Sequence, residues 1–159
     1  MAYAVGTTVS LMNSLAELEK LVRKAGFSNF MQGVADDRIV AAFTGPEGRQ
    51  VRFIVPTTEI GDDLLVKMRD MARAYGCRVP KTHEEAFEQH RRQIGRALVL
   101  TVKAKIECIE AGIETFDDAF MSQLALPDGR TVGTMVKHEL ALAYNGGRQP
   151  PNLLPDYSA

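Results

Sequence analysis

The sequence predicts an α+β fold: an N-terminal helix packed on a three-stranded antiparallel sheet, followed by a long helix and a helical C-terminal region. Three observations predict it. Between Phe30 and Val55, short β-type runs with alternating faces are separated by turn-forming residues. From Thr82 to Gly112, apolar residues recur at helical spacing between a capping signal and a left-handed stop. Beyond Gly112 the pattern stays helical, in shorter pieces.

The elements follow in order. Ser14-Leu15-Ala16-Glu17 reads as a capping box, and Leu15, Leu18, Leu21, Val22 and Ala25 form an apolar stripe ending at Gly26. Phe30 to Val34, Arg38 to Phe43 and Arg49 to Val55 are the strands, joined by Ala35-Asp36-Asp37 and Gly45-Pro46-Glu47-Gly48. Ile39, Ala41 and Phe43 share one face of the second strand; Val51, Phe53 and Val55 share one face of the third. That apolar side requires a helix over it. After a loop from Pro56 to Asp63, Asp62 or Asp63 caps a helix through Leu64, Leu65, Met68, Met71, Ala72 and Tyr75, closed by Gly76, and Cys77 to Lys81 forms a hinge.

In the long helix Thr82 is the N-cap, with Glu85 at the third helical position, and Leu98, Val99, Leu100 and Val102 make its centre apolar nearly all round, which predicts enclosure. Thr115 caps a short helix with Phe116, Ala119 and Phe120 inward. Pro127-Asp128-Gly129 is a turn, Thr131 to Tyr144 is the last helix, stopped by Gly146-Gly147, and Arg148 to Ala159 is an extended tail.

The chain has 159 residues and 45% apolar content, enough for one domain with its own core. The organisation expected is helix plus β-meander over 1–56, helix and hinge over 57–81, long helix and C-terminal helices over 82–147, and tail over 148–159. The two cysteines, Cys77 and Cys108, form no CxxC pattern and suit buried thiols in a reducing compartment. Met1 to Ser10 lacks a basic region followed by an apolar core, and no run reaches the roughly 18 apolar residues of a membrane span. A soluble cytoplasmic protein with no membrane partner is expected. Net charge is −1, but the distribution is uneven: residues 61–105 hold ten basic and six acidic side chains, whereas residues 106–159 hold three and eight. Such a split marks a polyanion-binding face, complementary surfaces for self-association, or two solvated sets that neutralise each other.

Enzymatic chemistry finds little support. His83-Glu84 opens like a zinc-protease helix, but position 87 is Phe where the second His belongs. His83 and His90, with Glu84, Glu85 and Glu88 near them, make an incomplete metal set. No Gly-x-Ser-x-Gly elbow is present, Gly45-Pro46-Glu47-Gly48 lacks the Lys-Ser/Thr of a phosphate loop, and Asp117-Asp118 occupies a helix first turn, where carboxylates favour the dipole. No catalytic residue, metal or cofactor is expected.

The basic cluster is the stronger candidate. Arg92, Arg96 and Lys103 fall within about 40° on a helical wheel, flanked by Arg91 and Lys105. That stripe, joined by Arg49 and Arg52 from the third strand, has the residue types that track a phosphate backbone. Glu85, Glu88, Glu107 and Glu110 extend the same stripe at spacings that form i,i+4 ion pairs, the pattern of a solvated helix face. Phe27, Phe30 and Tyr75 are the aromatic candidates for base stacking, each with a competing place in the core.

The segments Arg96–Glu107, Gly112–Phe120 and Leu126–Gly133, together with the N-terminal helix and strands, resemble a family of small uncharacterised phage and prophage proteins over about Ser14 to Tyr144. That resemblance implies a setting near replication or recombination functions. The order of helix, three-stranded sheet and long basic helix also resembles the core of RecT/Erf-type single-strand annealing proteins, which implies a groove for single-stranded DNA. Two functions are therefore expected. One is a non-enzymatic, self-associating protein that binds single-stranded nucleic acid through Arg91, Arg92, Arg96, Lys103, Arg49 and Arg52. The other is a protein-binding module that modulates a host protein.

Overall fold

In the computed structural model, which describes residues 3–57 and 61–145, the first helix (α1, Leu11–Lys24) begins one turn before the Ser14 capping signal. Ser10 is the cap, its hydroxyl accepting from the Asn13 N–H. Ser14 is instead fully buried inside the helix and bonds back to the Ser10 carbonyl. Leu11 explains the shift: it extends the Leu15, Leu18, Val22 stripe by a turn, and burial of a fourth apolar side chain favours the longer helix by about 1.5–3 kcal/mol.

The three strands are β1 (Ser28–Val34), β2 (Arg38–Thr44) and β3 (Gln50–Pro56), in the antiparallel order β1-β2-β3. β1 starts two residues before the expected Phe30, because a bulge between Ser28 and Met31, with Asn29 at φ 51°, hides the alternation there. Register gives the sheet two chemically different faces. Ile39 pairs with Val55, Ala41 with Phe53 and Phe43 with Val51 on the inner face. Met31, Ala42 and Arg52 form one row of the outer face, and Gly33, Val40 and Ile54 the next.

The remaining helices are α2 (Asp62–Ala74), α3 (His83–Glu110), α4 (Phe116–Phe120) and α5 (Val132–Asn145). Gly61, rather than an aspartate, occupies the α2 cap; Asp62 and Asp63 lie in the first turn, where the helix dipole favours them. Thr82 and Thr115 cap α3 and α4 as expected, accepting from the N–H groups of Glu85 and Asp118. Gly112 follows the end of α3 at φ 70°, the conformation that stops the helix. The expected hinge is held in place: Arg69 donates to the carbonyls of Pro80 (3.1 Å) and Lys81 (2.7 Å). Gly146-Gly147 and the tail from Arg148 lie outside the described residues.

The inner face is covered by α1, α3 and α4, which together bury Leu15, Leu18, Val22, Val102 and Phe120 against Ile39, Phe43 and Val51. Phe120 is fully buried at the junction, edge-on to Phe43 (5.5 Å) and Phe53 (6.3 Å) and 5.1 Å from Phe116. Helices α1 and α3 approach closely at Gly95, against Ser14. A second, smaller apolar cluster lies apart: Leu64, Leu65 and Met68 of α2 with Ala86 and Phe87 of α3. The centre of α3 is not enclosed all round, because Leu98, Val99 and Val102 are buried while Leu100 faces outward.

Candidate functional site

The six basic residues singled out from sequence do not form one track. Arg52 alternates with Val51 and Phe53 and so lies on the outer face of the sheet, whereas α3 packs on the inner face. Its guanidinium donates to the Gly129 carbonyl. Arg49 pairs with Asp117 at 2.8 Å and with Glu47 at 3.4 Å. On α3, Arg91 stacks over the Phe87 ring (5.4 Å) beside Glu88 (3.8 Å). Arg96 ties α3 to Glu17 of α1, and that hydrogen bond holds its guanidinium pKa above the ordinary value. The flanking Lys105 donates to the Ala119 carbonyl and lies over Phe120 (5.5 Å). The Arg96 and Lys105 contacts join the helix to neighbours that the helical wheel does not contain, whereas Arg91 is engaged within α3 itself.

Arg92 and Lys103 have no ion-pair partner among the described residues. They are eleven positions apart, roughly 16 Å along the helix. Of the aromatic candidates, Phe27 and Phe30 pack against the core, Phe27 stacking on Phe43 at 5.5 Å, while Tyr75 is exposed.

Among the described residues no three His, Cys, Asp or Glu side chains come together as a metal-ligand set. His83 contacts Asp62 at 2.8 Å, and burial together with Lys67 pushes the His90 pKa below its ordinary value. Cys77 and Cys108 are free, half-buried thiols. No described helix is long and apolar enough to cross a membrane.

What sequence reasoning missed is an apolar surface on the other side of β3. The Met121–Gln123 turn and α5 lie along that strand, leaving a groove of about 480 Å³ lined by Phe53, Ile54, Met121, Val132, Val136 and Leu140. Among the described residues Arg52 and Lys137 supply its only charges, both positive. Helix α5 starts where Thr131 accepts from the Thr134 N–H and where Gly133 lets the backbone approach the Ser122 carbonyl. From there Met135, Val136, Leu140, Leu142 and Tyr144 are all exposed, on more than one side of the helix. Two buried polar atoms beside the groove, Arg52 Nε and Gln123 Oε1, lack a hydrogen-bond partner among the described residues. The signal was present in Val132–Asn145, where Val132, Met135, Val136, Leu140, Leu142 and Tyr144 make an apolar stripe broader than one packing partner covers.

A larger open depression of about 1110 Å³ adjoins this groove through Arg52, between the β1–β2 end of the outer face and the Leu126–Gly129 turn. It carries Phe30, Met31, Arg49 and Arg52, but Arg49 is neutralised by Asp117 and Glu47. Comparison with protein-family models, curated proteins and solved structures gives no match to this chain.

Proposed function

We propose that this protein is a non-enzymatic cytoplasmic docking module whose groove between β3 and α5 receives an amphipathic, acidic-rimmed segment of a host protein. One observation carries the reading: the large apolar side chains of α5 from Met135 to Tyr144, namely Met135, Val136, Leu140, Leu142 and Tyr144, are exposed. Exposed apolar surface of this kind marks an interaction site. Charge supports the choice of partner. With Arg52 and Lys137 on the rim and no carboxylate in the lining, carboxylates beside an apolar stripe complement the groove. The occupant can also supply hydrogen bonds to Arg52 and Gln123, relieving an unmatched-polar cost of about 1–3 kcal/mol each.

The test places a photo-crosslinking side chain at Leu140, identifies what it captures in host cells, and titrates the purified captured protein against wild type and the variants Ile54→Asp and Leu140→Asp. Both positions are about half exposed, so folding survives. Saturation at one partner per chain, lost in both variants and weakened by salt, supports the docking reading. A captured protein that binds both variants with wild-type affinity refutes it.

The second reading, single-stranded nucleic acid binding in replication or recombination, rests on Arg92 and Lys103, the two predicted contacts on α3 with no ion-pair partner among the described residues. Anisotropy of a labelled single strand over a salt series tests it. Arg92→Glu with Lys103→Glu leaves the interhelical Arg96–Glu17 pair intact, so binding that depends on this face disappears without loss of fold.

A further inference from the structure

We propose that two copies of this chain pair antiparallel along β1, closing their three-stranded sheets into one six-stranded sheet across a two-fold axis. The surface is distinct from the β3–α5 groove. The sheet has two ends, and they are treated differently. At β3, Leu124 bridges Val51, the Ala125 N–H donates to the Gln50 carbonyl, and Pro56 ends the strand. At β1 the only partner among the described residues is β2, so the opposite edge is unpaired.

An unpaired edge offers a row of backbone donors and acceptors to any extended chain, and natural proteins blunt such edges with charge, proline or irregularity. Ser28–Val34 contains neither a charged residue nor a proline, and every residue in it but Phe30 is exposed. The bulge at Ser28–Met31 disrupts one end and leaves Met31–Val34 as the regular stretch available for pairing.

Charge selects a second copy and the antiparallel sense. The chain enters β1 from the basic end of α1, which carries Arg23 and Lys24, and leaves it through Asp36-Asp37. Arg23 and Asp37 are engaged by Glu19 and Arg38, whereas Lys24 and Asp36 have no ion-pair partner among the described residues. Antiparallel self-pairing brings the acidic end of each strand toward the basic end of the other, twice per dimer. Parallel pairing would set like charges together. The antiparallel arrangement is also self-complementary and closes at two copies. Four regular residues per strand form a contact well below the roughly 800 Å² per partner of a standard interface, so the dimer is expected to dissociate in the micromolar range.

Sedimentation equilibrium of the full chain from roughly 1 to 300 micromolar reads the association directly. A mass rising from 17.5 kDa toward twice that value is expected. Gly33→Lys adds an edge lysine where a Cβ meets no heavy atom within 4 Å, so the variant keeps the fold and becomes monomeric. Asp36→Lys alone and Lys24→Asp alone each weaken association about tenfold, and mixing the two variants restores it as a heterodimer with both charge contacts complementary. A wild type that stays monomeric throughout, or a dimer unaffected by Gly33→Lys, overturns the proposal; a dimer lost only in Leu140→Asp moves the contact to α5 and overturns it equally.

Discussion

Replacing Gly95 by valine is expected to destabilise the protein by about 3 kcal/mol or more, because α1 and α3 meet there with no room for a side chain. A Cβ at this position lies 3.0 Å from Leu11 Cδ1, 3.1 Å from Ser14 Cβ and 3.3 Å from Ser14 Oγ. The Leu11 methyl can rotate away, but Ser14 Cβ is fixed by the α1 backbone, so relief requires the helices to separate. Alanine gains about 1 kcal/mol of helix propensity, which offsets about half of a contact cost of about 2 kcal/mol and leaves a net loss of about 1 kcal/mol. Valine adds two branched carbons, and the separation they force loosens Leu11, Leu15 and Leu18 against the sheet. Urea unfolding followed by far-UV circular dichroism measures the difference; with a slope of about 2 kcal/mol per molar, valine lowers the midpoint by at least about 1 M. Ser14→Gly removes the opposing Cβ, so in a double-mutant cycle with Gly95→Ala it should recover about 1 kcal/mol of coupling. A valine variant with the wild-type midpoint, or a cycle with zero coupling, would refute close packing at this crossing.

Three further outcomes are expected. Phe120→Ala removes the ring shared by Phe43, Phe53 and Phe116 and should cost about 3–5 kcal/mol in the same unfolding assay. Because burial holds the His90 pKa low when folded, the unfolded chain binds that proton more readily; stability present above about pH 6.5 therefore falls as pH drops through the window toward the folded value, and His90→Gln flattens the profile. Gly133→Ala puts a Cβ 2.7 Å from the Ser122 carbonyl oxygen and should raise hydrogen exchange throughout α5 while leaving exchange in β2 unchanged.

The faces of β2 and β3 were legible because a period of two leaves no freedom: once Ile39 and Val51 point inward, Ala41, Phe43, Phe53 and Val55 follow. The Thr82 and Thr115 caps were legible because each rests on a local hydrogen bond. Ser14 misled because Ser-x-x-Glu satisfies the capping pattern, while Leu11, one turn earlier on the same stripe, decided the helix start by burial. The basic stripe exposes a different limit. Spacing places Arg92, Arg96 and Lys103 on one side of α3, but whether an arginine is available depends on Glu17 from another helix. Helix α5 escaped notice as a surface because its composition announces burial without naming the face that covers it.

The 28 residues of α3 make a rod about 42 Å long that belongs to two apolar clusters. Its second half is clamped by the sheet, α1 and α4; its first turns are held by α2 within the smaller cluster around Met68 and Phe87, and by Gln89, which donates to the Val5 and Thr7 carbonyls. The two ends are thus unequal in cooperativity. Opening of α2 can fray the helix from Thr82 inward without disturbing Val102 or Phe120, so the molecule has a natural order of unravelling: α2 and the first turns of α3 detach first, and the sheet with its three helices persists as the last unit to melt.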